Sequence, residues 1–326
     1  MRNWIGVVPV PKSKIHYLNH PIVEAVMVNL KALSNGSYEG LAEMLAIVRP
    51  IGWEVSAILR AYYRGKQTSQ ALESADPSDG PVTAADLAVN HHILERLQMN
   101  LGTQEFGYLT EETYKTQTSR AAFPQPWVWI IDPLDGTRDF IEKTGEYAVH
   151  IALTHQNRPI LSVVALPEQE KVYYATLGGG AFVETSDGAT RVLQVSKRDR
   201  PEDLTAVVSR THRDQRFDQL LSQLPLEKRL FVGSVGCKVV AIIEHLADVY
   251  ISLSGKSAPK DWDMAAPELI LTEAGGKFTH FDGSPLRYNT GDVSQWGGLM
   301  ASNGACHPLL CTEAEKILAD IDAAKV

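Results

Sequence analysis

Two carboxylates stand three residues apart in the run Trp129-Ile130-Ile131-Asp132-Pro133-Leu134-Asp135-Gly136-Thr137-Arg138, where an apolar stretch gives way to a proline, a glycine and a hydroxyl. Mg²⁺ prefers carboxylate and carbonyl oxygens, so Asp132, Asp135 and the Leu134 carbonyl between them form a donor set for a hard divalent cation. The plainer explanation is a turn, since Asp is common beside Gly and Pro. Further acids raise the same choice. Glu111-Glu112 is an adjacent pair in Tyr108-Leu109-Thr110-Glu111-Glu112-Thr113, as a solvated surface would carry. Thr83 and Asp86 have the spacing of a helix start, and Asp263, in Lys260-Asp261-Trp262-Asp263, sits at or near a helix N-terminus, where capping would explain it.

The elements that must position these groups can be read from periodicity. Residues 127 to 131 are aromatic or β-branched and predict a buried strand. Pro133 cannot donate to a ladder, so pairing is expected to stop there, and Gly136 permits a tight turn back. Helical periodicity runs from Tyr38 to Tyr63 with an expected kink at Pro50. Lys66 to Gly80 is polar and reads as a mobile loop. Strands and turns fill Trp127 to Val195. Beyond about Asp199, strands alternate with helices at Thr205–Ser209, Phe217–Leu224, Lys238–Leu246, Val249–Ser252 and Met264–Ala274. The expected class is α/β, with an extension of unknown role over residues 1–40, an α+β domain over 41–198 and an α/β domain over 199–326. Three acidic segments come from the first half and Asp263 from the second, so a site built from all of them lies at the junction, where clefts commonly bind ligands.

Taken in order, these segments resemble the inositol monophosphatase superfamily of Mg²⁺-dependent, lithium-sensitive phosphatases. The acid pair, Asp-Pro-Leu-Asp-Gly-Thr, Trp-Asp and the later Gly275-Gly276 are all present, and the likeness covers about residues 40 to 305. Arg138-Asp139-Phe140 and Ser209-Arg210-Thr211-His212 are similar to the 3'(2'),5'-bisphosphate nucleotidase branch. The resemblance implies a layered αβαβα sandwich. It implies metal ligation by Glu111, Asp132, the Leu134 carbonyl, Asp135 and Asp263, with about two or three Mg²⁺ ions. Asp86 and Thr137 would be the water-activating pair, and Gly136, Thr137, His212, Ser234, Lys238 and Asp263 the substrate contacts. One metal would lower the pKa of the attacking water while another stabilised the leaving alkoxide.

The implied reaction is hydrolysis of 3'-phosphoadenosine 5'-phosphate, a by-product of sulfate activation, to AMP and phosphate. Inositol monophosphatase or fructose-1,6-bisphosphatase activity is the alternative, and Ser252 keeps it in play, because yeast-type bisphosphate nucleotidases carry an Arg there. Pro267 also departs from the family pattern and predicts a distorted first helical turn. A metabolite sensor without turnover is a reading from another class; the intact Asp86 and Thr137 argue against it.

Composition bounds the remaining classes. With 326 residues and 44% apolar content the chain can bury a sizeable core in one or two domains. A net charge of −8 argues against a nucleic-acid polymer as partner, which would call for a basic face. Three cysteines, Cys237, Cys306 and Cys311, without metal-like spacing suit reduced thiols. No apolar run approaches the ~18 residues of a membrane span, and Met1–Val10 lacks a signal-peptide core. The expected setting is the cytoplasm, and the expected state a monomer or homodimer acting on a small phosphorylated metabolite. Gly255-Lys256-Ser257 lacks the earlier glycine of a P-loop. His150, alternating with apolar residues, reads as a packed core histidine.

Overall fold

The aromatic and β-branched run beginning at Trp127 forms a nine-residue strand, Trp127–Asp135, buried along its whole length in the computed structural model. The structure describes residues 40–65, 71–72, 82–101, 106–117, 120–210 and 213–324. The N-terminal extension up to residue 39, most of the Lys66–Gly80 loop and His212 therefore lie outside the described residues.

Full burial of that strand follows from cover on both faces. It is β2 of a seven-stranded sheet made of β1 (Phe106–Thr110), β2, β3 (Ala148–His155), β4 (Arg158–Leu166), β5 (Lys171–Thr176), β6 (Gly180–Thr185) and β7 (Thr190–Val192), paired in chain order. Only β1 and β2 run parallel; the others are antiparallel, as their short connections require. Along β2, Trp129 and Ile131 point to a core shared with helices α1 (Leu41–Tyr63) and α2 (Ala84–Leu101). Val128 and Ile130 point the other way.

That second face packs on two buried helices, α6 (Val235–Ile243) and α7 (Asp261–Glu273), which lie between the first sheet and another. Before them come two short helices, α3 (Glu111–Thr116) and α4 (Thr137–Ile141), and then α5 (Gln215–Gln223). The second sheet holds β8 (Thr205–Val208), β9 (Lys228–Phe231), β10 (Val249–Leu253), β11 (Lys277–His280) and β12 (Gly298–Ser302) in the order β9-β8-β10-β12-β11. Its outer face is covered by α5 and α8 (His307–Ala323) through Leu220, Leu221, Leu310 and Ala314. The result is the five-layer αβαβα sandwich. Each fully buried Leu, Ile or Phe contributes roughly 1.5–3 kcal/mol. The buried residues of α6 and α7 are apolar or small except for Lys238, Asp261 and Glu268, which is what a helix between two sheets needs.

Three local expectations change. Pairing of β2 with β3 does not stop at Pro133: Asp132 faces His150 and Asp135 faces Ala148, so a bulge absorbs the proline and pairing resumes. Helix α1 runs unbroken through Pro50; Pro50 and Ala46 are both exposed, so the carbonyl that loses its partner can turn to water. Pro267 lies inside α7, whose first residue is Asp261 and not the residue after Asp263, so the proline falls in the second turn of a continuous helix. Strands β9, β11 and β12 and helix α8 lacked a clear signal in the sequence. Among the described residues, no helix is long and apolar enough to cross a membrane.

Candidate active site

The bulge at the end of β2 is the first positioning device. It inserts one extra residue between Asp132 and Asp135 relative to β3, so both carboxylates lie close together at the end of the strand. The Leu134 amide donates to Asp132 Oδ1 at 3.0 Å and holds that side chain in place. Gly136 then turns the chain with φ 90°, a left-handed value that suits glycine. A Cβ there would sit 3.0 Å from both the Glu146 carbonyl oxygen and Ser234 Cβ. The turn leads into α4, which begins with Thr137.

Thr137 and Asp86 meet although 51 residues separate them. The Thr137 hydroxyl lies 3.2 Å from Asp86 Oδ1 and 3.0 Å from the Leu134 carbonyl oxygen, both possible acceptors of its proton. The other Asp86 oxygen accepts from the Thr83 amide at 2.8 Å and the Thr83 hydroxyl at 2.6 Å. Helix-start bonding and the contact to Thr137 are thus two uses of one carboxylate. Burial raises the Asp86 pKa to about 6, with the Thr83 bonds opposing the rise.

Asp263 arrives from the far half. It is the third residue of α7, and its carboxylate accepts from the Lys260 amide at 2.6 Å, so the capping explanation also holds. Its oxygen nevertheless joins those of Asp132 and Asp135: ligand atoms of the three lie within 4.8 Å of one another. Of the two acids in Asp261-Trp262-Asp263, Asp261 instead holds the following loop, accepting from the Asn289 amide at 2.8 Å and Gln295 Nε2 at 2.7 Å.

Helix α6 supplies the surroundings of Asp135. The Ser234 hydroxyl donates to Asp135 Oδ2 at 2.6 Å while accepting from the Cys237 amide at 3.0 Å, and the Gly236 amide donates to the same Oδ2 at 2.7 Å. His150 Nε2 stands 3.2 Å from that oxygen, and its Nδ1 is 3.2 Å from the Trp262 carbonyl oxygen. His150 is packed core, as its alternation with apolar residues predicts, and its Nε2 also faces a site carboxylate. Strand alternation placed it on the face of Ala148 and Ala152, toward α6 and α7, which was the available signal. Lys238 is buried, donates to the Gly233 carbonyl and lies 5.4 Å from the Tyr250 ring centroid. Burial lowers its pKa. Ser252, at the position of the absent Arg, is two residues from Tyr250 on β10.

Glu111 stands outside the group of three. Its charge still reaches them: burial, then Glu111, Asp135 and Asp263, raise the pKa of Asp132 well above the carboxylate range. Burial and Asp135 raise Asp263 likewise. Burial would also raise Asp135, but His150, Ser234 and Gly236 outweigh it and bring the group below its ordinary value. A rim network joins the halves: Arg210 grips both oxygens of Glu146, one at 2.6 Å, and Glu146 also accepts from the Gly233 amide at 2.7 Å. Arg210 reaches Asp139 at 3.4 Å.

These residues fit a divalent cation. Three buried or half-buried carboxylates converge, Asp132 and Asp263 are electrostatically disfavoured as anions, and Asp135 directs one oxygen to three protein groups, leaving the other. All donors are hard oxygens.

Comparison with known proteins agrees with this geometry. The model of the inositol monophosphatase family matches residues 40–319. The 3'(2'),5'-bisphosphate nucleotidase CysQ of Salmonella typhimurium is 35% identical over 234 residues, 71% of this chain and 88% of that protein. The protein of the same name from Escherichia coli K12 is 34% identical over 228 residues, 69% and 86%. Among solved structures, the Thermotoga maritima IMPase superposes with a TM-score of 0.69 at 20% identity, covering 86% of this chain and 99% of that one. CysQ from Bacteroides thetaiotaomicron gives 0.63 at 23%, covering 81% and 98%. With a family model spanning most of its length and the fold to match, the chain belongs to the inositol monophosphatase family.

Proposed function

We propose that the chain is a 3'(2'),5'-bisphosphate nucleotidase that hydrolyses 3'-phosphoadenosine 5'-phosphate to AMP and phosphate. The observation that carries the chemistry is the convergence of Asp132, Asp135 and Asp263 within 4.8 Å beside the Thr137–Asp86 contact. The names of the relatives that are 34–35% identical support the substrate. Glu111, Asp132, the Leu134 carbonyl, Asp135 and Asp263 would hold about two or three Mg²⁺ ions, which when bound supply the positive charge that neutralises phosphoryl oxygens and acidifies water.

The chain's own residues do the rest. Asp86 takes the Thr137 hydroxyl proton, so the Thr137 oxygen can in turn accept a proton from the attacking water. A threonine hydroxyl is too weakly acidic to act as a base alone; a buried carboxylate with a pKa near about 6 makes the relay competent at neutral pH. The Ser234, Gly236 and His150 contacts on one Asp135 oxygen fix that carboxylate's orientation. Gly136 lets the backbone pass close to Ser234, where a side chain would intrude. Lys238 places a buried positive charge behind Ser234, and Lys238, Ser234 and His212 are the substrate contacts from the second half. In this reading residues 41–198 carry most ligands and 199–326 add Asp263 and specificity. The protein works in the cytoplasm, as a monomer or homodimer, on a small metabolite.

The test is kcat/KM on 3'-phosphoadenosine 5'-phosphate, inositol monophosphate and fructose 1,6-bisphosphate, with Mg²⁺ and with a chelator. The expected result is a preference of at least about tenfold for the nucleotide, abolished by the chelator. A similar preference for inositol monophosphate would overturn the assignment.

A further inference from the structure

The segment from α4 to β3 ties two acids of the first half together. The Thr144 hydroxyl donates to Asp139 Oδ1 at 2.8 Å and accepts from the Glu146 amide at 3.2 Å. Both acids then close on one residue of the second half, Gly233. Glu146 Oε2 accepts from the Gly233 amide at 2.7 Å, and the Asp139 carboxylate lies so close to the Gly233 Cα that a Cβ there would collide with it. The Gly233 carbonyl accepts from Lys238 Nζ. The next residue, Ser234, donates to Asp135 Oδ2 at 2.6 Å and fills the room that Gly136 leaves. Arg210, just beyond β8, grips both Glu146 oxygens in a fork, one at 2.6 Å, and reaches Asp139 Oδ1 at 3.4 Å. Glu146 thus touches the turn at Gly136 through its carbonyl and the second half through its carboxylate.

We propose that Arg210 and Glu146 are positioning residues that hold Ser234 and Lys238 in register with the Asp135–Gly136 turn. Arg210 acts through Glu146: the guanidinium fork takes both carboxylate oxygens and so fixes the side chain with one of them on the Gly233 amide. The inference rests on Ser234 and Lys238 being the substrate contacts of the previous section, and it assigns the clasp to substrate binding. The Asp86–Thr137 contact and the Asp132 carboxylate belong to the first half and keep their bonds without it. Asp135 likewise keeps the Gly236 amide and His150 on the oxygen that Ser234 shares. Opening the clasp therefore loosens the grip on substrate and leaves the proton relay in place.

The test measures kcat and KM of the full chain on 3'-phosphoadenosine 5'-phosphate with Mg²⁺, and follows hydrogen exchange of residues 232–238 by mass spectrometry on the same proteins. Arg210→Met and Glu146→Ala should each raise KM about tenfold and leave kcat within about threefold of wild type. The double variant should be no worse than Glu146→Ala alone, because Arg210 acts through Glu146. Glu146→Gln keeps an acceptor for the Gly233 amide and should lie closer to wild type than Glu146→Ala. Exchange at 232–238 should be faster in Arg210→Met and Glu146→Ala. Arg210→Lys keeps the charge without the fork, so its KM should rise by less, and it carries the comparison if the methionine variant does not fold. An unchanged KM, a loss confined to kcat, or independent effects in the double variant would overturn the clasp. If wild type does not hydrolyse this nucleotide, the substrate reading fails by itself, and exchange decides the positioning: faster exchange in Arg210→Met sustains it, and unchanged exchange removes it.

Discussion

Replacing Asp86 by asparagine separates proton handling from every other role of the site. The substitution keeps shape, so its consequences follow from hydrogen-bond polarity. Asp86 Oδ2 accepts two donors from Thr83, at 2.8 and 2.6 Å, and an asparagine would keep both only by placing its carbonyl oxygen there. Its NH₂ group then faces the Thr137 hydroxyl, 3.2 Å from the present Oδ1. That group donates where Asp86 accepts. The Thr137 proton is left to the Leu134 carbonyl oxygen at 3.0 Å, and a lone pair of the hydroxyl is occupied by the amide. Thr137 can no longer pass a proton on, so kcat should fall by about 10²–10⁴, the usual worth of positioned acid–base catalysis and equal to about 2.7–5.4 kcal/mol of barrier. Stability should change little, because burial already disfavours the Asp86 charge. The assay is steady-state phosphate release alongside calorimetric Mg²⁺ titration of the same preparation. A kcat loss below about tenfold, or a parallel loss of Mg²⁺ affinity, would refute the relay and assign Asp86 a structural or ligand role.

Gly236→Ala should destabilise the fold by about 1–3 kcal/mol, because the new Cβ would sit 2.4 Å from His150 Nε2 and 2.9 Å from Ala148 Cβ. Urea melts would register it, and an unchanged midpoint would mean that His150 can move aside freely. His307 is hydrogen-bonded at both nitrogens, to Ser302 at 2.7 Å and Thr279 at 2.8 Å, and burial, then the charge of Lys277, lower its pKa to about 4. An unfolded chain would protonate this histidine near about pH 6.5, so its contribution is complete above that pH and is lost as pH falls toward about 4. The loss should be about 2 kcal/mol after allowance for solvent screening. The stability difference between wild type and His307→Gln, measured by urea melts at several pH values, should shrink over that window; parallel curves would contradict the assignment.

The residues that sequence reading placed well are those whose signal is local. Asp132-Pro133-Leu134-Asp135-Gly136-Thr137 announces a sharp turn with two carboxylates, and Thr83–Asp86 announces a helix start. What spacing could not decide was whether such local bonding excludes another role. Asp86 and Asp263 each take a bond at a helix start and also reach the site, because a carboxylate has two oxygens. Properties set by distant layers were less visible. The burial of Lys238, which the resemblance makes a substrate contact, could not be read because nothing local reveals that α6 lies between two sheets. His150 read as core because its neighbour Asp135 comes from another strand. Pro133 was expected to end the ladder, whereas the sheet accommodates it with a bulge of one extra residue.

Sandwiching α6 and α7 between both sheets has a consequence for how the molecule can open. The backbone amides of these helices are screened from solvent on either side, so their hydrogen exchange must wait for a sheet to separate. No small peripheral fluctuation can disperse the acidic group while leaving the rest intact, because Asp263 rides on the central layer and Asp132 on an interior strand of the sheet packed against it. Heat inactivation should accordingly coincide with the cooperative melt instead of preceding it.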